Sequence, residues 1–271
     1  MPLSTAANAF RLPAGTAGRI VTASDTDYDK LRTVMYGGPD KRPAHIVRVS
    51  DAADIAAAIA YARDNRLELA IRSGGHSGAG HSTTDGGLVI DLRDLKDIAI
   101  DAANRTVWVG AGVTAGELTE ALAPHQLVVG FGDTGSVGVS GITLGGGVGY
   151  LARKYGLSID SLLSVELVAA DGRQVLADEA NHPELFWALR GGGGNFGVVT
   201  RLKFRLHPLP AFTGGMLVLP ATARTIAGFV AAAKAAPEEL SGIANVMPAP
   251  PMPFLPAEQH GKLVILAMLA F

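Results

Sequence analysis

The placement of glycine constrains this chain more than any other feature. Of its 34 glycines, 18 fall between Ile71 and Tyr150 and five more between Gly191 and Gly197. The residues around them alternate apolar and polar as ordinary strands do. Glycine is entropically costly, so dense clusters inside an otherwise packed sequence mark tight turns or places where the main chain comes close to something bound. Low-complexity filler would lack the interleaved apolar runs.

Periodicity around the clusters predicts the elements that carry them. Ala44–Ser50 reads as a strand, Asp51–Asn65 as an alanine-rich helix opened by a Ser50/Asp51 cap, and Leu67–Arg72 as a second strand. After the loop Ser73–Asp85, the runs Gly87–Asp91, Ile98–Asp101 and Thr106–Val109 suggest an antiparallel meander. Thr114–Ala123 is a helix with Glu117 three residues after its Thr114 cap, leading to a strand at Leu127–Val129. Leu162–Ala170 and Arg173–Leu176 form a hairpin at Asp171-Gly172, Pro183–Leu189 a helix, and Val198–Leu206 a strand. Beyond Pro208 and Pro210 the pattern changes: Met216–Leu219 is strand-like, Ala223–Ala235 helical, Pro248–Pro256 a loop and Lys262–Leu269 a last strand. The expected organisation is an N-terminal segment 1–37, a main domain 38–210 and a partial domain 211–271. The abrupt apolar end suggests truncation.

Bulk chemistry removes several function classes. A net charge of −2 with no long Lys/Arg run leaves no basic field for nucleic acid or anionic lipid, so neither is an expected partner. Without cysteine there is no disulfide or thiolate metal site, which suits a reducing compartment; a cytoplasmic location is the expectation. Residues Met1–Ile20 lack the apolar core of a secretory signal, and Leu263–Phe271 is too short to cross a bilayer.

Chemistry concentrates in Ile71-Arg72-Ser73-Gly74-Gly75-His76-Ser77-Gly78, directly after a predicted strand. Successive small residues there can turn their N–H groups inward and form a nest for a diphosphate. Local chemistry alone leaves open a plain glycine-rich turn bearing a surface histidine. Gly192-x-Gly194-Asn195-Phe196-Gly197 satisfies a dinucleotide fingerprint formally, but it follows a helix and opens a strand, the reverse of the required context. His76 and His81 lack further ligands at suitable spacing, so no metal site is expected. No G-x-S-x-G elbow surrounds Ser73, Ser77 or Ser140, which read better as hydrogen-bond donors to a phosphate or another bound group. His81 flanks the loop or faces solvent, and His125 and His182 read as caps or solvated residues. Trp108 and Trp187 read as core or packing residues, and Asp133 as a cofactor contact or a turn initiator.

The Arg-Ser-Gly-Gly-His run resembles the covalent-flavin loop of the vanillyl alcohol oxidase/p-cresol methylhydroxylase superfamily, and more closely its berberine-bridge-enzyme-like branch. Further segments match in order: Arg42-Pro43, the stretch from Gly132 through Gly141, Leu144-Gly145-Gly146-Gly147-Val148-Gly149-Tyr150, Lys154-Tyr155-Gly156-Leu157, Glu184 to Arg190, and Gly191 to Thr200. The resemblance implies an α+β fold: a PCMH-type FAD-binding domain of two α/β subdomains, then an incomplete antiparallel-sheet substrate domain. It implies FAD contacts from Arg72, Ser73, Gly74, Gly75, His76, Ser77 and His81. It adds Gly132, Thr134, Val137, Gly138, Ser140, Gly141, Gly145, Gly146, Gly147, Gly149 and Tyr150, and finally Gly197, Val198 and Val199.

In that branch the histidine matching His76 bonds through an imidazole nitrogen to the 8α carbon of the flavin. Many members carry a second link from cysteine. Here Thr134 stands at that position and a hydroxyl cannot replace thiolate, so a single 8α-histidyl bond is expected, as in the 6-hydroxy-D-nicotine oxidase-like members. The implied function is an FAD-dependent oxidoreductase passing a hydride from a C–OH or C–N carbon of a small-molecule substrate to flavin N5, then electrons to dioxygen or another acceptor. The family's base, often tyrosine, lies in a C-terminal region beyond this sequence, whose last tyrosine is Tyr155; no catalytic residue is assigned. A truncated, non-catalytic FAD-binding or vestigial protein is the alternative.

Overall fold

The computed structural model describes residues 10–36, 40–209 and 211–271. The expected boundaries at 38 and 210 fall outside them. The first unit contains β1 (Arg19–Val21), α1 (Tyr28–Arg32), β2 (His45–Arg48), α2 (Ala52–Asp64), β3 (Leu69–Arg72) and β4 (Leu88–Asp91). Its sheet runs β1-β2-β4-β3, with β4 parallel to both neighbours. The expected meander is therefore corrected: Leu88–Asp91 belongs to this sheet. All four of its residues are buried, as in a central parallel strand covered on both faces. Ile55, Ala58 and Ile59 of α2 cover one face, while Tyr28 and Leu31 of α1 cover the other. Asp51 caps α2 by accepting from the N–H groups of Ala53 and Asp54.

The second unit comprises β5 (Ile98–Asp101), β6 (Thr106–Gly110), α3 (Ala115–Leu122), β7 (Leu127–Val128), α4 (Val139–Leu144), α5 (Ala152–Tyr155), β8 (Leu162–Val168), β9 (Gln174–Asp178), α6 (Pro183–Leu189), β10 (Val198–Arg205) and β11 (His207–Pro208). Five strands form an antiparallel sheet in the order β5-β6-β10-β8-β9, and β7 pairs with β11. One core joins the units, running from Val47 and Leu88 through α2 to Val165, Leu167 and Leu202. The Thr114–Glu117 capping box forms as read, Thr114 N donating to Glu117 Oε2 at 2.7 Å. Trp108 is half-buried with the Arg201 guanidinium 5.1 Å above its ring. Trp187 is not a core residue: it is 71% exposed, because α6 buries Phe186 and Leu189 and helical geometry turns Trp187 away from them.

The third unit is an antiparallel sheet, β12-β14-β13, built from β12 (Gly214–Pro220), β13 (Ser241–Pro248) and β14 (Leu263–Ala270), with α7 (Ala223–Ala235) between β12 and β13. Strand β13 was absent from the sequence reading. No residue of α7 is buried. Its C-terminal end is held instead from α5: Arg153 donates to the carbonyls of Ala233, Ala236 and Leu240, each at 2.8 Å. Among the described residues no helix is long and apolar enough to cross a membrane.

Candidate functional site

Parallel strand β3 delivers the Ser73–Asp85 loop from its C-terminal end, where open α/β sheets place their ligand sites. Facing it is the loop that leads into α4. The two meet backbone to backbone: a Cβ on Gly138 would lie far inside van der Waals contact of Ser73 Oγ and Gly74 N, and one on Gly74 would lie 2.9 Å from Ser136 O. Ser73 Oγ and Ser140 Oγ both donate to the carbonyl of Ala111, at 2.7 and 2.9 Å, which ties both loops to the end of β6. These hydroxyls, read from sequence as ligand donors, therefore have a protein acceptor.

Between the loops lies a cleft of about 810 Å³. The first loop lines it with Ser73, Gly74, Gly75, His76, Ser77 and His81; the second region adds Val137, Gly138, Ser140, Gly141 and Gly145, and the start of β10 adds Gly197 and Val199. Other predicted residues are not brought to its wall. Arg72 is 1% exposed beneath the loop, donating to the carbonyls of Leu31, Arg32 and Ser82. Burial pulls its guanidinium down to about 10, partly opposed by the charge of Asp91. Val198 points into the core. Gly147 and Gly149 serve internal packing, since a Cβ would collide with Ser158 and with the Phe131 carbonyl respectively. Gly132, Gly146 and Tyr150 also stand away from the wall, and exposed Thr134 donates to Asp133.

Sequence reasoning missed Lys41, Glu68, Ser82, Thr83 and Asn195, which do line the cleft. The hydroxyls of Ser82 and Thr83 are buried without a hydrogen-bond partner. Their signal was the short polar run after His81. Among the described residues, the main-chain N–H groups of Gly74, Gly75, His76 and Ser77 have no protein acceptor. His76 is half-buried; its Nε2 is hydrogen-bonded to Ser136 Oγ at 3.0 Å, and the Tyr36 ring stands edge-on at 6.3 Å.

Residues 43–178, half of the chain, match the model of the FAD binding domain family. The chain belongs to this family. Among its relatives, (R)-6-hydroxynicotine oxidase of Paenarthrobacter nicotinovorans is 41% identical over 198 residues, 73% of this chain and 43% of that one. The crystal structure of 6-hydroxy-D-nicotine oxidase from Arthrobacter nicotinovorans superposes with a TM-score of 0.85 at 33% identity, over 95% of this chain and 56% of that one. A berberine-bridge-enzyme-like protein of Physcomitrella patens gives 0.84 at 28% identity, over 94% and 54%. The chain thus spans about half the length of these relatives, and its fold is that of their PCMH-type flavin domain followed by part of an antiparallel sheet.

The cleft suits the family's cofactor. Four successive amide donors without acceptors fit an anionic diphosphate. Gly141 lies inside helix α4, where alanine would be better, and a Cβ there would meet nothing within 4 Å. Internal packing does not require that glycine, and it lines the cleft.

Proposed function

We propose that the protein is an FAD-dependent oxidoreductase that holds FAD covalently through His76 and oxidises a small molecule at a C–OH or C–N carbon. When bound, the flavin supplies the hydride acceptor at N5 and passes electrons on to dioxygen or another acceptor. The chain's own residues bind and position it. The amides of Gly74 to Ser77 would hold the diphosphate, and the unpartnered hydroxyls of Ser82 and Thr83 would donate to its polar groups. Gly141 and Gly145 would let the α4 backbone approach it, and Gly197 and Val199 would close the wall formed by β10. A neutral imidazole is a competent nucleophile near pH 7, so His76 in the cleft wall can form the link. With Thr134 exposed and bonded to Asp133, no second link is proposed.

The observation that carries this reading is the juxtaposition of His76 with a run of unpartnered amide donors in one cleft. It is tested by acid precipitation of the purified protein beside its His76→Ala variant. Yellow colour should remain with the wild-type pellet and be released from the variant. Flavin released from both would refute attachment at His76, and a colourless protein would favour a non-catalytic role for this chain.

A further inference from the structure

We infer that Arg72 is a buried counter-charge for the bound diphosphate: it acts from beneath the glycine-rich loop, without touching the ligand, through a positive charge that no carboxylate of the protein neutralises. The inference rests on the reading above, in which the loop amides hold a diphosphate, and adds a source of the attraction that lies behind the cleft wall.

The charges around the end of β3 pair off with one left over. Arg48 is bonded to Asp94, Nε donating to Oδ2 at 2.8 Å. Arg93 grips Asp91, with Nε 2.9 and 3.0 Å from its two oxygens and Nη2 2.5 Å from Oδ2. Arg72 is the register neighbour of Asp91 on adjacent parallel strands, yet among the described residues no carboxylate forms an ion pair with it. Its three bonds go to the carbonyls of Leu31, Arg32 and Ser82, which solvate the charge without cancelling it. Arg93 also donates to the Leu31 carbonyl at 3.4 Å, so two like charges are held around one oxygen.

Burial gives that surplus charge its reach. A guanidinium drawn down to about 10 still keeps its proton at neutral pH. A buried ion with no partner is costly, and salt screens it far less than a surface charge. The side chain runs under the loop: a Cβ on Gly75 would sit 3.8 Å from Arg72 Cδ, in ordinary contact. Gly75 also carries one of the four amides without a protein acceptor. The amide dipoles and the cation beneath them therefore favour an anion in the same place. Neither Arg72 nor Asp91 lines the cleft, so either can be changed without removing a contact to the ligand.

The test reads charge with both signs. In a His76→Ala background stripped of flavin, binding of inorganic pyrophosphate is measured by calorimetry and binding of FAD by flavin fluorescence. Arg72→Gln should weaken both ligands about tenfold or more, and Arg72→Lys, which keeps the charge, should recover most of that loss. Asp91→Asn removes the carboxylate whose field opposes Arg72 and should tighten both ligands severalfold. A merely structural role predicts weaker binding from every one of these changes. R72Q and R72K binding alike, or D91N binding no tighter than the parent, would overturn the inference while leaving the diphosphate site in place. If R72Q does not fold, D91N decides alone. A parent protein that binds neither pyrophosphate nor FAD would instead remove the diphosphate reading and this inference with it.

Discussion

Gly141→Ala should make the protein more stable and a poorer binder of FAD. The residue sits in the interior of α4, and its added methyl group would meet no atom within 4 Å. Replacing an unstrained helical glycine removes freedom from the unfolded chain and gains about 1 kcal/mol, which for a domain of this size raises Tm by about 2–4 °C. The same methyl group would project from the wall of the 810 Å³ cleft. A well-packed ligand must then shift, at a cost of about 1–3 kcal/mol, or about 5- to 150-fold in Kd. Stability should be measured on flavin-free protein, because bound FAD stabilises by mass action and would mask the gain. Affinity is best measured by flavin fluorescence titration in a His76→Ala background, where binding is reversible. Unchanged FAD affinity would refute the placement of the flavin against α4, and a lowered Tm would refute the claim that internal packing does not require this glycine.

Arg72→Met should destabilise by about 2–4 kcal/mol, read by urea unfolding, because it strands three main-chain carbonyls that the guanidinium now serves. Arg153→Ala removes every bond that this side chain makes to the end of α7, and limited proteolysis should cut between Ala233 and Leu240 faster than in wild type while the Tm of the flavin domain holds. His45 should make stability depend on pH: burial among Phe10 and Tyr61 holds its pKa below the ordinary value of 6.5, and Nδ1 has no partner. Below that ordinary value the unfolded chain takes up a proton that the folded state resists, so this contribution is present above pH 6.5 and lost as the pH falls through it. Thermal melts of His45→Phe should show a shallower decline from pH 7 to pH 5 than wild type.

Elements governed by local chemistry were legible in the sequence. The Thr114–Glu117 box, the Asp171-Gly172 hairpin and the helix beginning at Pro183 are each specified within a few residues, and each forms where expected. Helix α4 was not legible, because Val-Ser-Gly-Ile-Thr-Leu has little intrinsic helix propensity. Its start is instead held by Val139 N on Val113 O and by Ser140 on Ala111. The cleft was half legible for a related reason. Gly141 and Gly149 look alike in sequence, yet one opens onto the cleft and the other avoids the carbonyl of Phe131. Which is which depends on chain segments brought alongside only by folding. Ser136 escaped notice because its partner comes from the other loop, and Trp187 because a single tryptophan carries no information about which side of a short helix is covered.

The carbonyl of Ala111 accepts from both Ser73 and Ser140. An acceptor shared in this way makes the two serines interdependent: losing either leaves the other to satisfy the oxygen, whereas losing both strands it. Selection therefore sees a pair and not two positions. Removing both hydroxyls together should therefore cost more than the sum of removing each alone.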